Sequence, residues 1–118
     1  MEVAVTYLEN QLREQQPLFE LLVQQVERDF RMSVDEDVTF PVSTPLEFVQ
    51  QIQEQLEVIA SRTPAKLSML LYRIDVAEKD IRALEEGDVF NYFQQLTYLI
   101  VKREFQKVYF RTTLANEQ

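Results

Sequence analysis

The apolar face of the segment from Val89 to Arg111 changes sides halfway along, and a helix built that way needs more than one neighbour. At about 100° per residue, Val89, Phe93, Leu96 and Ile100 share one stripe. Continued, that stripe runs into Arg103, Lys107 and Arg111. The later apolar residues Val101, Phe105, Val108 and Tyr109 lie roughly 120° around the cylinder. Such a helix is expected to pass its buried face from one packing partner to another. Seven of the chain's thirteen Phe and Tyr residues fall between 90 and 110, so the same segment is expected to carry large aromatic anchors.

The rest of the chain shows the same helical period. Val5, Leu8, Leu12, Phe19, Leu22, Val26 and Phe30 form one stripe that keeps its phase across Pro17. An interior proline removes a helical hydrogen bond and clashes with the preceding turn. A single helix kinked near Pro17 is favoured over two helices separated there. Residues 32–43 read as a loop, with Phe40-Pro41 extended and Phe40 strapped across the core.

Thr44-Pro45, with Glu47 three residues after the threonine, combines an N-cap, a first-turn proline and a capping box. Thr63-Pro64 repeats the cap and the proline, without the glutamate. From these starts run the stripes Phe48, Val49, Ile52, Leu56, Ile59 and Leu67, Leu70, Leu71, Ile74, Ala77, Ile81, Leu84. Gly87 is expected to end the second in a left-handed cap, with Asp88 capping the next helix. Four helices are predicted, at approximately 3–31, 45–61, 64–86 and 89–113. Short connections favour antiparallel neighbours. The expected architecture is an all-α antiparallel four-helix bundle with a long Pro-kinked first helix, in one domain over residues 1–118.

Composition restricts the chemistry. The chain has 118 residues, 46% of them hydrophobic, with one Gly, no Cys and no His. Triads built on His, the common zinc sites and the Glu-x-x-His ligand sets of di-iron bundles are excluded. One glycine cannot build a phosphate-cradling loop, and no cofactor is expected. The amino terminus has no basic-then-apolar signal pattern and no window approaches a membrane span, so a cytoplasmic protein is expected, with no membrane partner. Net charge is −8, carried by residues 1–63, while 64–118 hold eight acidic and eight basic side chains. That field opposes a phosphate backbone, so nucleic-acid binding is disfavoured.

The carboxylates offer one enzymatic reading, a metal-dependent nucleotide hydrolase using Glu54 and Glu57 with Asp75 and Glu78. On the predicted helices both Glu54 and Glu57, and Asp75, point away from the core stripes, so the pairs are not expected to converge. Arg103, Lys107 and Arg111 form a charged contact stripe with three readings: a solvated or ion-paired face, a protein contact, or a phosphate contact in a weak nucleic-acid accessory protein.

Leu70-Leu71-Tyr72-Arg73-Ile74-Asp75-Val76-Ala77-Glu78-Lys79, together with Ile100-Val101-Lys102-Arg103-Glu104-Phe105-Gln106-Lys107, resembles small helical bacterial proteins of unassigned function. That resemblance covers part of the second half, includes no catalytic motif and implies no activity. The function expected is a non-enzymatic protein-interaction module or homodimeric helical adaptor. Its candidate interface is Val101, Phe105, Val108, Tyr109 and Phe110, standing exposed beyond the bundle, and its partner is another protein or a second copy.

Overall fold

Pro17 separates two helices rather than kinking one. In the computed structural model, which describes residues 2–116, α1 is Glu2–Leu12 and α2 is Leu18–Ser33. Between them the chain makes single turns, with Gln15 N donating to Leu12 O and Leu18 N to Gln15 O. Proline has no N–H to continue a helical ladder, but its fixed φ suits the start of a new one. Leu12 and Phe19 are nevertheless both buried, so the stripe serves one core across the break.

The next helix begins where its signals placed it. In α3 (Pro45–Arg62) the Thr44 hydroxyl accepts from Glu47 N and donates to the Glu47 carboxylate. Ahead of it the loop carries Phe40, which is buried edge-on between Phe30 and Phe48, 5.2 and 5.7 Å away by ring centroids. Thr63 joins α3 to α4 (Pro64–Ile74), although its side chain makes no capping bond.

The third predicted helix also divides, for a different reason. Asp75 adopts φ 71° and ψ 48°, the only positive φ among described non-glycine residues. Val76 N donates to Leu71 O and Asp75 N to Tyr72 O, the paired bonds of a Schellman ending with aspartate where glycine is usual. Buried Leu71 and Val76 supply the accompanying apolar contact. A short helix, α5 (Glu78–Glu85), follows. Gly87, by contrast, has no positive φ, and a Cβ there would meet only ordinary contacts, so it is not the left-handed cap expected of it.

A 3₁₀ turn at Val89–Asn91 leads into α6 (Tyr92–Asn116), and Val89, expected on the buried stripe, is exposed. The described residues thus form six α-helices and no strand, in place of the four-helix bundle expected. Helix α6 is the axis, packing against each of the other five. Leu96, Ile100, Val101, Phe105 and Val108 join one apolar cluster with the buried faces of α1 to α4. The Cα radius of gyration is 13.9 Å, near the roughly 13.5 Å of a compact chain this long. No described helix is long and apolar enough to cross a membrane.

Candidate interaction surface

The α6 face expected to be an interface is mostly core. Val101, Phe105 and Val108 are buried, Tyr109 is half-buried, and Phe110 alone of the five is exposed, at 57%. The covering element is α1. Its Tyr7 meets Tyr98 and Phe105 edge-on at 5.8 and 6.1 Å, and Phe105 stacks on Tyr109 at 6.1 Å. The rotation in the sequence therefore reflects neighbours within the chain. What stays open at this end is Phe110 with Leu114, one helical turn apart.

The charged stripe is also engaged within the chain. Arg103 donates to the backbone oxygen of Asp75 at 3.2 Å and to its carboxylate at 3.0 Å, holding the left-handed joint. Lys107 Nζ reaches Asp29 Oδ2 at 3.0 Å, and Arg111 donates to Gln25 Oε1, whose amide in turn donates to Asp29. Arg73 from α4 closes the other Asp29 oxygen at 3.1 Å. One buried aspartate thus ties α2, α4 and α6.

Beside it lies Glu104, fully buried. Lys107 Nζ sits 2.5 Å from its Oε1, yet neither carboxyl oxygen makes a well-directed hydrogen bond. Burial first, then the adjacent Asp29 carboxylate, push the Glu104 carboxyl up to about 9, against the partial pull of Lys107. Asp29 moves the other way. Burial alone would raise it, but contacts from Glu104, Lys107 and Gln25 and the Lys107 charge hold it below its ordinary 3.8. At neutral pH one carboxyl keeps its proton and the other does not.

A consequence for stability follows from the sign of the Glu104 shift. In the unfolded chain this group ionises near its ordinary 4.5, while in the fold it stays protonated to about 9. Its contribution is therefore complete below 4.5 and is lost as pH rises toward 9. Glu104→Gln keeps the shape and removes the titrating proton. Thermal melts across that range should show the variant matching the parent at the acid end and exceeding it by several kcal/mol at the alkaline end. A loss of stability equal at every pH would instead make Glu104 an ionised partner of Lys107.

Helical periodicity gives no weight to the outer side of α4, where the fold gathers an exposed cluster. Tyr72 is 87% exposed, with Met69 at 57% and Met32, at the end of α2, at 61%. Tyr72 stands as a ridge between two concavities. One, of about 400 Å³, lies between α2 and α4 and is lined by Met32, Met69, Tyr72 and Arg73. The other, of about 560 Å³, lies between α4, α5 and the start of α6, with Leu67, Leu71, Val76 and Ile81 among its lining. The only signal along the chain is three large apolar or aromatic side chains lying off the core stripes: Met32, Met69 and Tyr72. Single residues of that kind are common at surfaces and carry little information until the fold groups them.

The carboxylates of the enzymatic reading do not assemble. Glu54 and Glu57 are exposed on α3, while Asp75 and Glu78 flank the α4–α5 joint. Among the described residues no group of three or more acidic side chains is placed to hold a metal ion. Comparisons with protein-family models, curated proteins and solved structures each return no match.

Proposed function

We propose that this chain is a non-enzymatic protein-interaction module whose contact surface is the outer face of α4, with α6 as the scaffold rather than the docking element. The observation that carries this reading is Tyr72, nearly fully exposed between two concavities and flanked by exposed Met32 and Met69. An exposed apolar cluster of this kind favours association. Tyrosine gives a large contact area with little rotamer entropy to lose, and methionine adapts to varied partner shapes. The cations that a nucleic-acid contact would use, Arg103, Lys107 and Arg111, are already bound by Asp75, Asp29 and Gln25.

A second reading, a homodimer through the end of α6, draws support from exposed Phe110 and Leu114. The two are separated by comparing Tyr72→Ser with Phe110→Ser. Both sites are exposed, so circular dichroism should show both variants folded. Affinity capture of a partner should then be abolished by Tyr72→Ser and unaffected by Phe110→Ser, and sedimentation over a dilution series should show no dimer that depends on Phe110. The opposite pattern would move the interface to α6. Indifference to Tyr72→Ser would remove the α4 surface.

A further inference from the structure

We propose that the groove between α4, α5 and the start of α6 receives an amphipathic helix with a basic face, supplied by a partner protein. This rests on the α4 docking reading and adds the chemistry of what docks.

Helix α5 is amphipathic, yet none of its eight residues is buried, and its apolar residues Ile81 and Leu84 are only half-covered. A surface helix of a globular protein normally lays its apolar stripe on the core. Here the Schellman joint at Asp75 turns α5 away from the line of α4 and leaves a groove between them. The groove floor of Leu67, Leu71, Val76 and Ile81 ends at Tyr92, and Tyr72 stands at its outer edge. The 11 residues of α4 make a wall about 16 Å long. That length seats roughly three turns of a helix, presenting anchors at i, i+3 or i+4, and i+7.

The charged side chains lining the groove are Asp75, Glu78 and Glu85, with no lysine or arginine among them. Among the described residues no ion pair holds Glu78 or Glu85, and Asp75 keeps 78% of its side chain exposed while meeting Arg103. The cations of α5, Lys79 and Arg82, do not line the groove. An apolar floor with an acidic rim complements a helix with apolar anchors and flanking lysines or arginines. The net charge of −8 adds long-range attraction for such a helix, and it opposes a second copy of the chain.

Two synthetic helices of about 14 residues, a length at which isolated helices are marginal but docking can complete them, provide the test. They share a leucine face and carry lysine or glutamate at every other position. Amide NMR titration of the full chain should show the lysine helix shifting resonances of residues 67–85 and binding at least about tenfold tighter than the glutamate helix. Raising the salt concentration should weaken it. The double variant Glu78→Lys, Glu85→Lys should reverse the preference. Glu85→Lys alone places a cation in the last turn, where the helix dipole favours it, so it keeps the test valid if the double variant unravels α5.

Four results would overturn the proposal. Equal binding of both helices at the groove would refute the charge argument and leave α4 docking intact. No shift in residues 67–85 with either helix would remove both. A dimer abolished by Tyr72→Ser, with no lysine-helix binding, would make a second copy the occupant. Shifts spread over other acidic surfaces and unchanged by Glu85→Lys would mark non-specific attraction.

Discussion

Replacing Asp29 by alanine lowers the stability of the fold by about 3 kcal/mol, the expected result of removing a buried anion on which the partly exposed Arg73 and Lys107 converge. Asp29 is 3% exposed. It accepts from Gln25 at 3.1 Å, Arg73 at 3.1 Å and Lys107 at 3.0 Å. Each donor comes from a different helix, so the aspartate is the meeting point of α2, α4 and α6. Without it, Lys107 is left with Glu104 alone, a carboxyl whose burial disfavours the charge that would answer it. Denaturant titration at neutral pH measures the loss, and the melting temperature should fall by roughly 15 °C or more. Asp29→Asn should lose less, since it keeps one acceptor. A loss below about 1 kcal/mol would place the cluster among the weakly contributing surface ion pairs.

The acid dependence of the same cluster has the opposite sign to that of Glu104. Asp29 is held below its ordinary 3.8 in the fold, so its contribution is present above that value and is lost as pH falls through the lowered folded one. Adjacent carboxyls thus weaken the fold at opposite ends of the pH range. Lys107 lies between them, against Asp29 and Glu104 alike.

Phe105→Ser is the second large effect, at about 3–5 kcal/mol. Its ring is buried between Tyr7 of α1 and Tyr109 of its own helix. Phe93→Ser should cost markedly less, because Phe93 is only half-buried, against Tyr92. Periodicity alone predicts the reverse, with Phe93 in the core stripe and Phe105 at an interface. Melts of both variants at several protein concentrations decide between the two. A concentration-dependent transition in the parent, lost in Phe105→Ser, would return residues 101–109 to an intermolecular role.

That reversal shows where reading along the chain reached its limit. A helical wheel reports which residues can share a face, and it correctly reports that α6 needs several neighbours. Whether the second neighbour is α1 or another molecule depends on where α1 lies, and Pro17 leaves that free. Glu104 shows the same limit from another side. It stands one turn from both Ile100 and Val108, on the apolar face of the helix, and only the approach of Asp29 on α2 makes it the most perturbed carboxyl described.

The all-helical class, the start of α3 at Thr44-Pro45 and the burial of Phe40 by the loop were all legible along the chain. So was the need for α6 to be wrapped on more than one side. These follow from local rules: side-chain period, capping hydroxyls, and the geometry of proline. Tertiary structure alone decided that Asp75 turns left-handed, since aspartate tolerates that conformation without demanding it and Arg103 comes from 28 residues away to hold it. It likewise decided that Val101, Phe105 and Val108 are core and that Tyr72 is surface. Burial belongs to the neighbours a residue meets, and those neighbours are set by the packing of all six helices around α6.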